Sequence, residues 1–212
     1  MKIIFRSPLL TRYFLTVVLA WFSLNLCIYC LYLDMGNLGF SIFLTQFLFG
    51  AFEIPANLFS MWLLEIFGRK ALFIFTLVIG GLSSLLIVAV PQDHAPAVTS
   101  LAVAARFFLV WAGSVACVYV QELSPTSVRQ TATALGSIAA RAGVLLAPLL
   151  NMLAVYHWVI PIVISSSLTI IGGALGFLLP ETKKTELPET AEEAENRAAA
   201  SGSHLPSEST KL

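Results

Sequence analysis

Thr131 to Leu153 reads TATALGSIAARAGVLLAPLLNML, a run with one formal charge, Arg141, close to its middle. It is long and apolar enough to cross the ~30 Å hydrocarbon core of a bilayer as a helix, which takes about 20 residues. A guanidinium at that depth costs roughly 2.5–3.5 kcal/mol on insertion scales, so it usually faces a protein interior or a water-filled path. The run therefore predicts both a membrane helix and a cation placed to meet something anionic. A purely structural ion pair is the alternative use of Arg141.

Working outward, five more apolar segments share these properties. The six run at about Tyr13–Leu33, Phe40–Leu64, Ala71–Val90, Val98–Val120, Thr131–Leu153 and Trp158–Leu179. Apolar residues make up 58 % of the chain and charged ones 11 %, where a soluble domain carries about 25 % charged. Unpaired backbone groups are expensive in lipid, and the segments lack the short alternation of an outer-membrane barrel, so all six are read as helices. The expected fold is an all-α, polytopic six-helix bundle over residues 13–180. A cytoplasmic segment, 1–12, precedes it, and an acidic, largely disordered cytoplasmic tail, 181–212, follows. The lipid bilayer is its first partner.

Charges between the segments set the orientation. Lys2, Arg6, Arg12, Arg69, Lys70, Arg129, Lys183 and Lys184 fall on one side, while the other holds Asp34, Asp93 and His94 and no lysine or arginine. The positive-inside rule then places both termini in the cytoplasm. The first segment is too long for a signal-peptide core and lacks a small-x-small cleavage site, so it is expected to remain in place. Cys27, Cys30 and Cys117 all lie in apolar segments without metal-ligand or redox spacing, and read as packing residues.

Two further formal charges lie within the spans. Glu53 is followed by Pro55, which removes a backbone donor, and by Asn57. It either lines a polar patch that binds substrate or balances an arginine, or forms a structural Glu–Arg pair between two helices. Arg106, near the outer end of a span starting at Val98, is expected to snorkel to the headgroups. Small residues at Gly136, Ala140, Gly143 and Ala147, and at Gly172 and Gly176, allow close helix approach without naming the partner. Tyr29 and Trp111 are candidate stacking surfaces for a flat anion. Trp158 reads as an interfacial anchor.

Two motifs sit between spans. Glu65-Ile66-Phe67-Gly68-Arg69-Lys70 is a glycine turn with two cations, in which Glu65 and Arg69 can pair if helical geometry persists across it. In Glu122-Leu123-Ser124-Pro125-Thr126-Ser127-Val128-Arg129, Pro125 breaks the helix and leaves Glu122 and Arg129 to engage opposite charges nearby. Glu65, Gly68, Arg69, Lys70, Glu122 and Arg129 are the candidate gating residues, since such contacts break when an inner gate opens.

These blocks, with Leu179-Pro180-Glu181-Thr182 and its echo at Leu187–Thr190, resemble the carboxy-terminal half (helices seven to twelve) of a major facilitator superfamily carrier. More narrowly they resemble the organic ion transporter family of solute carriers. Ala140-Arg141-Ala142-Gly143 is similar to the A-R-x-G block of the organic anion branch, where cation carriers place an aspartate. The resemblance implies facilitated or exchange transport of a small organic anion, with Arg141, Tyr29, Trp111, Glu53 and Asn57 as substrate-binding residues, and a plasma-membrane location. Two departures narrow the substrate. A tyrosine pair of related carriers falls on Ile28 and Tyr29, and a lysine in some of them falls on Asn57. The pocket is thus expected to bind small dianions less well.

The family's carriers have twelve spans, with substrate between two halves. Six spans therefore imply a fragment or short isoform lacking the first half. Other openings are pairing with a second half-carrier, or a non-transporting interaction protein that modulates full-length carriers. Paired carboxylates, nucleophile–histidine arrangements, metal clusters and nucleotide-binding motifs are absent at plausible sites, so neither enzyme activity, cofactor nor nucleic-acid partner is expected.

Overall fold

Helix ends in this chain are written by a few residues. Ser41 caps the second helix, its hydroxyl accepting from the Leu44 amide at 3.3 Å. Gly68, at φ 87°, ends that helix and begins the next, a conformation that L side chains rarely adopt. Pro96 lies in the first turn of the fourth helix, where a missing N–H removes no bond. The resulting elements are α1 (Pro8–Leu33), α2 (Ile42–Phe67), α3 (Arg69–Ala89), α4 (Ala95–Leu123), α5 (Arg129–Met152) and α6 (Val159–Leu175). Short 3-10 turns, Leu153–Val155 and Gly176–Leu178, extend the last two.

The computed structural model describes residues 8–34, 41–91, 93–124, 126 and 129–179. The expectations for the 1–7 segment, for Pro125, and for the tail from Pro180 with its Leu-Pro-Glu-Thr repeats lie outside the described residues. All six helices are long and apolar enough to span a membrane, and the chain is a multi-pass, all-α membrane protein. Arg12, at the start of α1, shares a pocket with Leu178 after α6, so both ends of the bundle chain meet on the side that carries Arg69, Lys70 and Arg129.

α1 is the hub, packing on α4, α5 and α6, while α3 packs on α4 and α6. Small residues make this possible. A Cβ on Gly143 would stand 2.6 Å from the Phe22 carbonyl oxygen, and one on Gly136 2.6 Å from the Trp21 ring. The stripe Ala132, Gly136, Ala140, Gly143 and Ala147 is buried, and its partner is α1. Gly172 meets Ala20 of α1, and Gly173 and Gly176 meet α3. Hydroxyls tie the centre: Ser166 bonds Ser84 at 2.8 Å, and Thr169 donates to the Ser23 carbonyl at 3.3 Å. Cys27 and Cys30 are buried in this packing, and all three cysteines are free thiols.

α2 and α5 are the flanks. Only 22 % and 17 % of their apolar windows are buried, against 44–56 % for the other four. Their outward faces carry Phe43, Phe47, Ile54, Met61, Leu145 and Leu149, all exposed, as suits residues that face lipid or another helix bundle. Between these flanks, on the faces of α1 and α4, the polar residues of the spans collect.

Candidate functional site

Polar side chains recur at helical spacing on three of the helices. On α1 they are Trp21, Asn25, Tyr29 and, one further turn on, Tyr32; on α2, Glu53 and Asn57; on α4, Arg106 and Ser114. Spacings of three, four, seven and eight put each set on one helix face, and packing turns all three faces onto one cleft of about 470 Å³. A small organic ligand fits a cleft of this order.

The Glu53–Arg106 pair is the electrostatic centre of that cleft. Arg106 Nη2 donates to Glu53 Oε2 at 3.1 Å. The arginine side chain is 6 % exposed, its partner 44 %. The guanidinium carbon lies 3.9 Å from the Tyr32 ring centroid and 5.2 Å from that of Phe49, with the two rings edge to face at 5.7 Å. Aromatic faces attract a cation electrostatically, and more strongly where water is excluded. Arg106 Nε and Nη1 are buried with no hydrogen-bond partner among the described residues. Each such unmet donor costs about 1–3 kcal/mol.

This corrects the snorkelling expected of Arg106. α4 starts three residues before Val98, so Arg106 lies deeper than a span from Val98 would put it, and its side chain turns inward to an anion. Of the two roles open for Glu53, pairing between helices is realised, and the cation is Arg106. Asn57 is tied into the same centre: its amide donates to the Glu53 carbonyl at 3.1 Å, and its oxygen accepts from the Ser114 hydroxyl.

Arg141 occupies a separate position. It is exposed on α5 and lines a second cleft of about 570 Å³ with Trp21, Asn25, Tyr29, Ser137, Ala140, Val144 and Leu145. Among the described residues it makes no ion pair. Trp21, Asn25 and Tyr29 line both clefts, so α1 forms a ridge with one guanidinium on each side. Tyr29 is 40 % exposed and rests on Tyr32 at 5.6 Å between centroids. Trp111, expected as a stacking surface, is 5 % exposed, packs on Phe107 and Phe108, and lines neither cleft. Its bulk and apolar neighbours favour the core.

At the loop end, Arg69 reaches α4. Its Nε donates to both oxygens of Glu122, at 3.0 and 3.1 Å, and Nη2 lies 3.0 Å from Oε1. Gly68 interrupts the helix between Glu65 and Arg69, so the i,i+4 geometry on which their pairing depended does not persist. Arg69 Nη1 also donates to the Leu64 carbonyl at 3.3 Å, closing the end of α2. Arg129, expected to engage an opposite charge, instead caps α4, donating to the Gln121 and Ser124 carbonyls at 2.8 and 3.5 Å, with no ion pair among the described residues. A cation at a helix C-terminus complements the helix dipole. Glu65 is exposed, and Lys70 is half-buried beside Arg69.

Sequence reasoning passed over Asn25, Tyr32 and Ser114 as site residues. The signal for Asn25 and Ser114 is a polar residue within an apolar span, at i,i+4 or i,i+8 from a charged or aromatic one. Tyr32 carried no such signal, because its use depends on where Arg106 arrives from α4.

Comparison with known proteins identifies the family. A family model for the Major Facilitator Superfamily matches residues 3–208. Solute carrier family 22 member 13 from Homo sapiens is 40 % identical over 192 residues, covering 91 % of this chain and 35 % of that protein. Solute carrier family 22 member 6-B from Xenopus laevis is 36 % identical over 90 % of this chain and 35 % of its own length. Member 12 from Rattus norvegicus is 35 % identical over 88 % and 34 %. The chain thus spans about a third of the length of the curated relatives it matches. Six spanning helices form one half of that superfamily's fold, and this chain belongs to the major facilitator superfamily.

Proposed function

We propose that this chain is the carboxy-terminal half of an organic anion carrier, and that Arg141 is the electrostatic anchor for the substrate. One observation carries the reading: Arg141 is a guanidinium inside the spanning region, exposed on the wall of a cleft and joined to no carboxylate among the described residues. Such a charge is stable there only with water or an anion beside it. Asn25 and Ser137 add hydrogen-bonding groups, and Tyr29 and Trp21 add flat faces for an aromatic monoanion. Similarity to solute carriers supports the transport class.

Carriers of this architecture move substrate by rocking two bundles about a central site. The two clefts, on either side of the α1 ridge and between the flanks α2 and α5, suit the face that meets the second bundle. The Arg69–Glu122 pair braces the loop end and favours the state in which it is closed. The basic loops support a cytoplasmic side for that end and for both termini, and similarity to solute carriers supports the plasma membrane as the location.

The test is uptake of radiolabelled benzoate by proteoliposomes holding this chain alone, the chain with the first six helices of member 13, or the same pair carrying Arg141→Ala. Uptake by the pair that Arg141→Ala abolishes is expected. Equal uptake with and without Arg141 refutes the anchor. Co-purification with a full-length carrier whose rate then changes, without uptake by the pair, would favour the modulator reading.

A further inference from the structure

Arg106 has more hydrogen-bonding capacity than the fold uses. A guanidinium offers five N–H donors in a fork that suits two carboxylate oxygens, and Glu53 engages it through Oε2 alone. Its Nε and Nη1 are left without partners among the described residues, although the side chain is 6 % exposed. The cation is held independently of Glu53, because the Tyr32 ring lies 3.9 Å from its carbon and Phe49 flanks it.

Glu53 is much the freer partner. Its side chain is 44 % exposed and opens onto the cleft. It stands on the flank helix α2, two residues before Pro55, which leaves the Ala51 carbonyl without its helical N–H. The residues around the pair are polar as well: Asn25, Asn57 and Ser114 line the same cleft. That lining suits a ligand with a charged end more than an apolar one.

We propose that Arg106 is a second anion-binding site, distinct from Arg141, and that Glu53 is its displaceable resident. The carboxylate of a small organic anion takes the guanidinium when Glu53 turns into the cleft. Trp21, Asn25 and Tyr29 border both clefts, so the two cationic sites adjoin across one ridge of α1. The inference does not rest on the Arg141 reading and survives its failure. The competing view is a fixed structural lock, in which no external anion replaces Glu53.

Benzoate is the probe, titrated against the thermal stability of the full chain in phosphatidylcholine nanodiscs, with sodium chloride at equal ionic strength as control. In Glu53→Ala, benzoate is expected to raise the midpoint saturably, with half-effect at a concentration at least tenfold below that for the unmodified chain. The gain persists in Glu53→Ala with Arg141→Ala and vanishes when Arg106→Gln is added to that double variant. No benzoate-specific gain in Glu53→Ala with Arg141→Ala, or one that survives Arg106→Gln in that background, overturns the proposal. A second variant keeps the pair intact should Glu53→Ala fail to fold. Asn57→Cys, in a Cys117→Ser background, is labelled by a charged methanethiosulfonate. Benzoate slows that labelling severalfold with or without Arg141 if the site exists, and unchanged labelling in both backgrounds refutes it.

Discussion

Arg106 and Arg141 are the same residue type, each within a spanning helix, yet the fold treats them oppositely. Arg106 is buried, paired with Glu53 and roofed by Tyr32; Arg141 is exposed and makes no ion pair among the described residues. The helix that carries each explains the difference. α4 lies in the interior between α1, α2 and α3, so a charge there must find a partner within the bundle. α5 is a flank with 17 % of its apolar window buried, so a charge there can look into an open cleft. Position across the bundle, and not depth along the span alone, decides what an intramembrane arginine does.

The largest effect expected is on stability, where the two should diverge. Arg106→Ala leaves a carboxylate without its cation, and breaking a buried pair costs about 3–5 kcal/mol. Glu53 keeps access to the cleft, so a loss near the lower end, about 3 kcal/mol, is expected. Arg141→Ala removes no described pair and should change stability by under about 0.5 kcal/mol. Unfolding of both variants in detergent micelles measures this. Equal losses would erase the distinction between the two arginines.

Anion affinity should diverge the other way. Hydrogen bonds to charged groups contribute about 1.5–3 kcal/mol, so Arg141→Ala should weaken benzoate binding roughly 10- to 150-fold. Arg141→Lys should fall between, because an ammonium cannot hold both oxygens in a fixed fork. Equilibrium dialysis with the paired halves in nanodiscs reads both. An Arg141→Lys affinity equal to that of the unmodified chain would mean the charge acts from a distance without contact.

The six spans were legible because hydrophobic length is a property of the chain alone. Their starts differ by one to three residues except at α1, which begins five residues before Tyr13; at α4 the helix starts at Ala95, beside Pro96, and not at Val98. That small error mattered: it moved Arg106 from snorkelling range to the interior. The small-residue stripe on α5 was also legible, but its partner α1 was not, because Gly136 and Gly143 specify close approach and nothing about what approaches. Pairings across helices were the least legible. Glu122 and Arg69 were each recognisable as loop-end charges, yet only the turn at Gly68 determines that Arg69 points to α4 and not back toward Glu65.

The α5 flank can be tested through its packing. A Cβ at Gly143 would lie 2.6 Å from the Phe22 carbonyl oxygen, a backbone atom that cannot rotate away. Gly143→Ala should therefore push α5 off α1 and destabilise by about 1–3 kcal/mol, as overpacking does. Because Arg141 lies two residues away, benzoate affinity should fall with it. Gly50, which has nothing within 4 Å, is the control, and Gly50→Ala should be near neutral.

The smallest effect concerns the pair outside the spanning core. Arg69 and Glu122, 20 % and 18 % exposed, lie at the loop end within reach of bulk salt, whereas Arg106 is 6 % exposed and Glu53, though 44 % exposed, opens onto a cleft within the spanning helices. The two-oxygen geometry of Arg69 with Glu122 raises the coupling above that of a typical surface pair, which is about 0.2–1 kcal/mol. A double-mutant cycle with Arg69→Gln and Glu122→Gln should return about 1 kcal/mol in stability, falling in 1 M salt. Glu53 with Arg106, treated identically, should keep most of its coupling in salt. If both couplings shrink alike, the Glu53–Arg106 centre is as wet as the loop end, and the contrast between a shielded and an open guanidinium no longer describes this bundle.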